Sequence, residues 1–206
     1  MRDDVPSKAA RSWEELFPLM EYCRAGKLKE VSEWIAAGHP LDPPLNGKRS
    51  RRRSPLEIAI EKGFYALVEL LLDGGSDPEA YGDAFGSAVQ HRETDVAKLL
   101  LERGSSAASV WASSVFDAGP EMIKLFIAYG FDPTAELAYY HALCSHVHPH
   151  LAVLGEHKER FPDLQRQAEM ALRYYCGEKE NLRAVSLLLW AGARADAQVP
   201  LVVNAR

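Results

Sequence analysis

The stretch Ser54-Pro55-Leu56-Glu57-Ile58-Ala59-Ile60-Glu61-Lys62-Gly63-Phe64-Tyr65-Ala66-Leu67-Val68-Glu69-Leu70-Leu71-Leu72-Asp73-Gly74-Gly75-Ser76-Asp77-Pro78 decides the fold. It opens as a helix should. Ser54 is an N-cap, Pro55 stands at the first helical position where a missing amide costs nothing, and Glu57 can return to the cap amide. Gly63 ends that helix about two turns on. A second helix follows, with Val68, Leu71 and Leu72 at i, i+3 and i+4, which places all three on one face. Gly75 closes it, because a helix commonly ends in a left-handed residue that glycine adopts without a steric penalty.

The second half of this phrase recurs on both sides. Upstream it reads Val31-Ser32-Glu33-Trp34-Ile35-Ala36-Ala37-Gly38. Downstream it reads Ala97-Lys98-Leu99-Leu100-Leu101-Glu102-Arg103-Gly104, Ile123-Lys124-Leu125-Phe126-Ile127-Ala128-Tyr129-Gly130 and Val185-Ser186-Leu187-Leu188-Leu189-Trp190-Ala191-Gly192. Small residues (Ala59, Ala88, Ser114) recur at one fixed position before the terminal glycine and allow neighbouring helices to approach closely. Ser12-Trp13-Glu14-Glu15 at the front reads as another capping box. Each unit is helix, tight turn, helix, extended loop. None can bury its apolar face alone, so the units stack and share one core.

Ser54-Pro55-Leu56-Glu57-Ile58-Ala59, Gly63, Val68, Leu71-Leu72 and Gly75-Ser76-Asp77 resemble the ankyrin repeat, whose pattern is T-P-L-H-x-A, then G, V, L-L and G-A-D. In the next unit Ala88, Leu100, Leu101 and Gly104 fit, while Asp83-Ala84-Phe85 replaces the T-P-L turn. The expected architecture is all-α, an ankyrin-like helical solenoid of about five recognisable units plus one degenerate helical pair. The units are expected at 12–42, 54–78, 83–107, 109–133 and 164–196, after a tail at 1–11 and with a basic loop insertion at 43–53. Gly130 and Gly192 are separated by about twice the usual interval, which puts the degenerate pair at 134–161. The last unit stops soon after Gly192 without a clear capping helix, which would suit a piece of a longer protein.

The resemblance implies a non-catalytic module that binds another protein through loop tips and the concave face of the first helices. Carried over by position, the first-helix sites are Arg24, Glu61, Lys62, Gln90, His91, Phe116, Asp117, Glu178 and Lys179. Loop positions include Ser50, Arg51, Arg53, Glu79, Ala80 and Gly82. A solvated rim would carry the same polar residue types, so a shared face weighs more than any one residue.

Composition fits this expectation. With 47% hydrophobic and 26% charged residues, the 206-residue chain can fold around a core and stay soluble. No apolar run reaches the roughly 20 residues that span a bilayer, and the acidic start Met1-Arg2-Asp3-Asp4 is unlike a secretory leader. Cys23, Cys144 and Cys176 are widely spaced and odd in number, as in a reduced cytoplasmic protein where such residues pack as small hydrophobes. The net charge of −5 is uneven. Lys48, Arg49, Arg51, Arg52 and Arg53 fall in one stretch without an acid among them, leaving a basic tip on an acidic body. Three readings of that tip stay open: a phosphate contact with steep salt dependence, a targeting stretch, or a solvated insertion, and where it binds at all its ligand is an acidic protein partner or nucleic acid. The phosphate contact would make the chain a nucleic-acid-associated adaptor, the alternative to a protein partner.

Site chemistry is sparse. His141, Cys144, His146, His148, His150 and His157 are the only cluster of metal-binding residue types. Their spacing fits no standard zinc pattern, and Pro149 is expected to interrupt any helix, so an irregular, half-solvated segment is the preferred reading. Asn46-Gly47-Lys48-Arg49-Ser50 loosely resembles the end of a phosphate-binding loop, but Asp42 stands where the first glycine belongs. No G-x-S-x-G elbow and no H-E-x-x-H pair occurs. No catalytic residue, cofactor or small-molecule substrate is therefore expected. Trp13, Trp34, Trp111 and Trp190 read as core residues by default, with a cap or interface role as the rival for Trp13 and Trp190.

Overall fold

The computed structural model describes residues 9–44, 52–79, 83–106, 110–134, 138–144, 148–177 and 181–199. Among these residues every extended element is a helix, and the only β feature is an isolated bridge between Ala9 and Asp42. The periodic stripes therefore did fold as an all-α helical repeat. The helices belong to two units, residues 1–110 and 111–206.

The first unit holds α1 (Phe17–Arg24), α2 (Leu28–Ala36), α3 (Pro55–Glu61), α4 (Tyr65–Asp73), α5 (Ala84–Gln90) and α6 (Thr94–Glu102). They pair as α1 with α2, α3 with α4 and α5 with α6, while α1, α3 and α5 line up side by side and α4 packs between α2 and α6. The stripe residues Val31, Val68, Leu71, Ala97 and Leu100 are fully buried between these layers. Ala59 and Ala88 are also fully buried, at the points where the first helices approach one another.

Helix ends explain why the pattern is so regular. At Gly75 the amide donates to the Leu72 carbonyl (3.0 Å) and the Ser76 amide to the Leu71 carbonyl (3.0 Å), a Schellman termination. The same pair of bonds closes the helices that end at Gly38, Gly104, Gly130 and Gly192, and all five glycines have φ between 73° and 94°. The inner turns use the same device. Gly26 (φ 69°) and Gly63 (φ 67°) take the left-handed position after α1 and α3, and Arg92 (φ 62°) takes it after α5.

The start of α3 forms the capping box read from sequence: the Glu57 amide donates to Ser54 Oγ (3.1 Å) and the Ser54 amide to Glu57 Oε2 (2.8 Å). The box expected at Ser12 does not form. The first turn is a 3₁₀ turn, Glu14–Leu16, with Trp13 rather than Ser12 in the cap position, and Glu15 Oε2 accepts the Arg11 amide (2.8 Å). Loops of the first unit are tied to one another through Asp42. Its buried carboxylate accepts the Ser76 hydroxyl (2.5 Å) and the Asp77 amide (3.1 Å), and its carbonyl accepts the Ala10 amide (2.8 Å).

The second unit holds α7 (Ala112–Ala118), α8 (Pro120–Ala128), α9 (Ala138–Cys144), α10 (His148–Glu156), α11 (Asp163–Gly177) and α12 (Leu182–Trp190). Here α9 lies between α7 and α11, and α10 between α8 and α12. A single residue, Gly119, joins α7 to α8 at φ 117°, ψ 174°, a conformation open essentially to glycine alone. Residues 134–161 contain α9 and α10, with Tyr139, Ala142, Leu151 and Leu154 in the core. Pro149 does not interrupt α10. It falls in the first turn, where a helix has no use for its missing amide.

Polar bonds brace the second unit from within. Gln167 Nε2 donates to the Thr134 carbonyl (2.8 Å) and its Oε1 accepts the Ala138 amide (3.2 Å). Lys158 Nζ donates to the Ala191 carbonyl (2.6 Å). The buried Glu169 carboxylate accepts from Arg194 Nε (2.6 Å) and from Gln165 Nε2 (2.8 Å). The Arg194 hydrogen bond, helped by Gln165 and the charges of Arg194 and Lys158, holds the Glu169 carboxyl below the ordinary range against its burial.

Candidate functional site

Two helices of the first unit present matched faces. On α1, Phe17, Met20, Glu21 and Arg24 stand at i, i+3, i+4 and i+7, which is one side of a helix. On α3, Ile58, Glu61 and Lys62 repeat the i, i+3, i+4 spacing at the end of the helix. With Arg52 and Arg53, which lead into α3, these side chains line a groove of about 850 Å³. Met20 and Ile58 form its buried floor, and Phe17 is 45% exposed at its side.

Four cations face two carboxylates in this groove. Arg24 pairs with Glu21 along α1, and Arg53 pairs with Glu61. Arg52 lies over the rings of Trp13 (5.7 Å) and Phe17 (5.9 Å), an arrangement in which a guanidinium is held by the faces of the aromatics. Lys62 is exposed and has no carboxylate partner among the described residues.

The groove thus gathers Arg24, Arg53, Glu61 and Lys62 from the residues expected to meet a partner. Gln90 (exposed) and His91 (half-buried) stand at the end of α5, beside α3. Glu79 is exposed, and its carboxylate accepts the Ser106 amide (3.2 Å), so it joins two loops. In the second unit Asp117 is exposed on α7. Phe116 is a correction: it is fully buried and cannot meet a partner. The first-helix register places it one step further round the helix than its polar counterparts, where it becomes part of the core. Arg51, Glu178, Lys179, Ser50, Ala80 and Gly82 lie outside the described residues.

Phe17, Met20, Glu21 and Ile58 were not anticipated. Their own spacing is the sign that was available, since it sets them on the same faces as Arg24 and Lys62. The basic stretch reads as a loop tip, yet Arg52 and Arg53 fold back onto helix faces, while Lys48, Arg49 and Arg51 lie outside the described residues.

The histidines take ring and backbone partners, two of them on one phenylalanine. His141 stacks on Phe116 (5.8 Å between centroids), His150 is buried edge-on to the same ring (6.4 Å), and His148 meets Trp190 edge-on (5.0 Å). His157 Nδ1 bonds to the Val153 carbonyl (2.8 Å). Among the described residues no three His, Cys, Asp or Glu side chains converge as metal ligands; His146 and the side chain of Cys144 lie outside them.

The thiols differ from the expectation in part. Cys23 is fully buried, and burial pushes its thiol up to about 12, whereas Cys176 is exposed rather than packed. Trp111 is likewise no core residue, being 79% exposed. Among the described residues no helix is long and apolar enough to cross a membrane.

No protein-family model matches the chain, and no curated protein sequence does. Solved structures do. The ankyrin repeat domain of human ASB11 superposes with a TM-score of 0.57 at 17% identity, covering 88% of this chain and 86% of that one. The ankyrin repeat domain of Bcl-3, a member of the IkappaB protein family, superposes with a TM-score of 0.56 at 18% identity, covering 88% and 89%. The chain has the ankyrin-repeat fold. In ankyrin terms α1, α3 and α5 are first helices and α2, α4 and α6 second helices, so the groove opens between two neighbouring first helices.

Proposed function

We propose that this chain is a non-catalytic protein-interaction module, a scaffold, recruiting or inhibitory subunit of the cytoplasm that takes a protein partner on its first-helix face. The observation that carries this reading is the row formed by α1, α3 and α5. Their buried sides fix the frame, while Arg24, Lys62, Gln90 and their neighbours are held outward at helix ends. The backbone that carries these side chains is already ordered, so a partner has only their rotamer freedom left to restrict, which favours binding. The reading includes no cofactor and no small-molecule substrate.

The test compares two double variants of the whole chain as bait in an extract of the native host. Lys62→Glu with Gln90→Glu alters the first-helix face. Lys29→Glu with Lys98→Glu alters exposed positions of the second helices. The expected result is that mass spectrometry finds a protein retained by the native chain and the second variant but lost from the first. Equal retention by both variants would remove the first-helix face from the proposal.

A further inference from the structure

We infer that the groove between α1 and α3 binds an acidic peptide segment, its carboxylates meeting Arg24, Arg52, Arg53 and Lys62 and an apolar residue of the peptide resting against Phe17. The inference rests on the interaction-module reading and specifies what the module takes.

Charge is the first argument. The chain as a whole carries −5, yet the groove holds four cations against Glu21 and Glu61. A local surplus of one sign on a body of the other attracts a ligand of complementary charge and orients it on approach. The guanidinium groups suit carboxylates, which they bind through two parallel hydrogen bonds.

The state of the cations is the second argument. Arg24 and Arg53 are held by Glu21 and Glu61 in pairs that are largely solvent-exposed, with side-chain exposures of 46% and 51% for the two arginines. Such pairs add little stability, so exchanging one carboxylate for another costs little. Among the described residues Lys62 has no carboxylate to give up. The walls arrange the charges before any ligand arrives, because Arg52 is already stacked on Trp13 and Phe17.

The groove's shape and floor separate a peptide from a nucleic acid. Above the buried Met20 and Ile58, the half-open Phe17 ring offers an apolar surface beside the cations, which suits a side chain and leaves a phosphate unserved. Glu21 and Glu61 interrupt the cationic row, and the acidic remainder of the chain repels a polyanion that extends beyond the groove. Nucleic-acid affinity grows with the number of phosphates neutralised in sequence, which this arrangement limits.

The experiment uses the full chain and three fluorescein-labelled probes. One is a short peptide of Asp and Glu around a central Leu-Phe pair. The second has Asn and Gln in place of every acid, and the third is a single-stranded oligonucleotide. By anisotropy, the acidic peptide is expected to bind at least about tenfold more tightly than its amide counterpart, and more tightly than the oligonucleotide. Its affinity should fall as salt rises. Arg24→Glu with Lys62→Glu is expected to weaken the acidic peptide by about tenfold or more at an unchanged melting temperature. If that variant melts early, Arg24→Gln with Lys62→Gln replaces it, and the comparison of peptides on the native chain needs no variant. Equal binding of the two peptides, no binding of the acidic one, tighter binding of the oligonucleotide, or indifference to a folded variant would each overturn the inference. Failure here, with partner capture still lost in Lys62→Glu/Gln90→Glu, would leave the interaction module standing and remove only its acidic ligand. Failure of both would remove both.

Discussion

Arg92 holds the left-handed backbone position after α5 that Gly26 and Gly63 hold after α1 and α3. A residue with a Cβ pays a steric penalty of roughly 1–2 kcal/mol there, partly offset because glycine loses more freedom on folding. Arg92→Gly is therefore expected to stabilise the chain by about 0.5–1 kcal/mol and to raise its melting temperature by a few degrees. A melt that is lower than that of the native chain would show that Arg92 does more than close a turn. Tyr139 makes a second point at this scale. It is buried, burial pushes its phenol far up, and among the described residues its hydroxyl finds no hydrogen-bond partner. Removing that hydroxyl takes away a buried, unsatisfied group, so Tyr139→Phe should leave thermal stability unchanged or raise it by about 1 kcal/mol.

At the scale of the element, stability lies in the stripes. Leu71 is completely buried on α4, and Leu71→Ala is expected to cost about 2–5 kcal/mol through lost burial and the cavity left behind. Thermal or urea unfolding measures it, and an unchanged midpoint would remove Leu71 from the core. These elements were legible in the sequence because each carries its own start, stripe and stop: Ser54 and Glu57 cap, Val68, Leu71 and Leu72 pack, and Gly75 terminates. Legibility failed where local chemistry had two outcomes. Pro149 reads as a breaker, yet the first turn of a helix accepts it. Ser12 reads as a cap, but the first turn begins one residue later, at Glu14, and leaves Trp13 in the cap position. Phe116 shows the limit of carrying a site over by position, since one step round a helix separates a polar rim from a core.

For the molecule as a whole, the fold was readable and the groove was not. A repeat announces itself by period, whereas the groove depends on α1 and α3 lying side by side and on Arg52 and Arg53 returning to their faces, which no local pattern encodes. Acid should unsettle the chain through Glu169. Its folded-state carboxyl titrates below the ordinary range, so its contribution is complete above the unfolded value of about 4.3 and is lost as pH falls through the lower folded value. The melting temperatures of the native chain and Glu169→Gln are expected to differ at neutral pH and to converge in acid; a constant difference would point away from Arg194 as the cause. The four tryptophans are divided unevenly. Trp13 and Trp34 in the first unit are half-covered, and Trp34 donates its indole hydrogen to the Pro40 carbonyl (2.9 Å), while Trp111 and Trp190 in the second are 79% and 59% exposed. Native fluorescence therefore has a more quenchable part and a less quenchable part that originate in different units. Iodide dims the former more strongly, so the emission that survives in the folded chain is weighted towards the first unit.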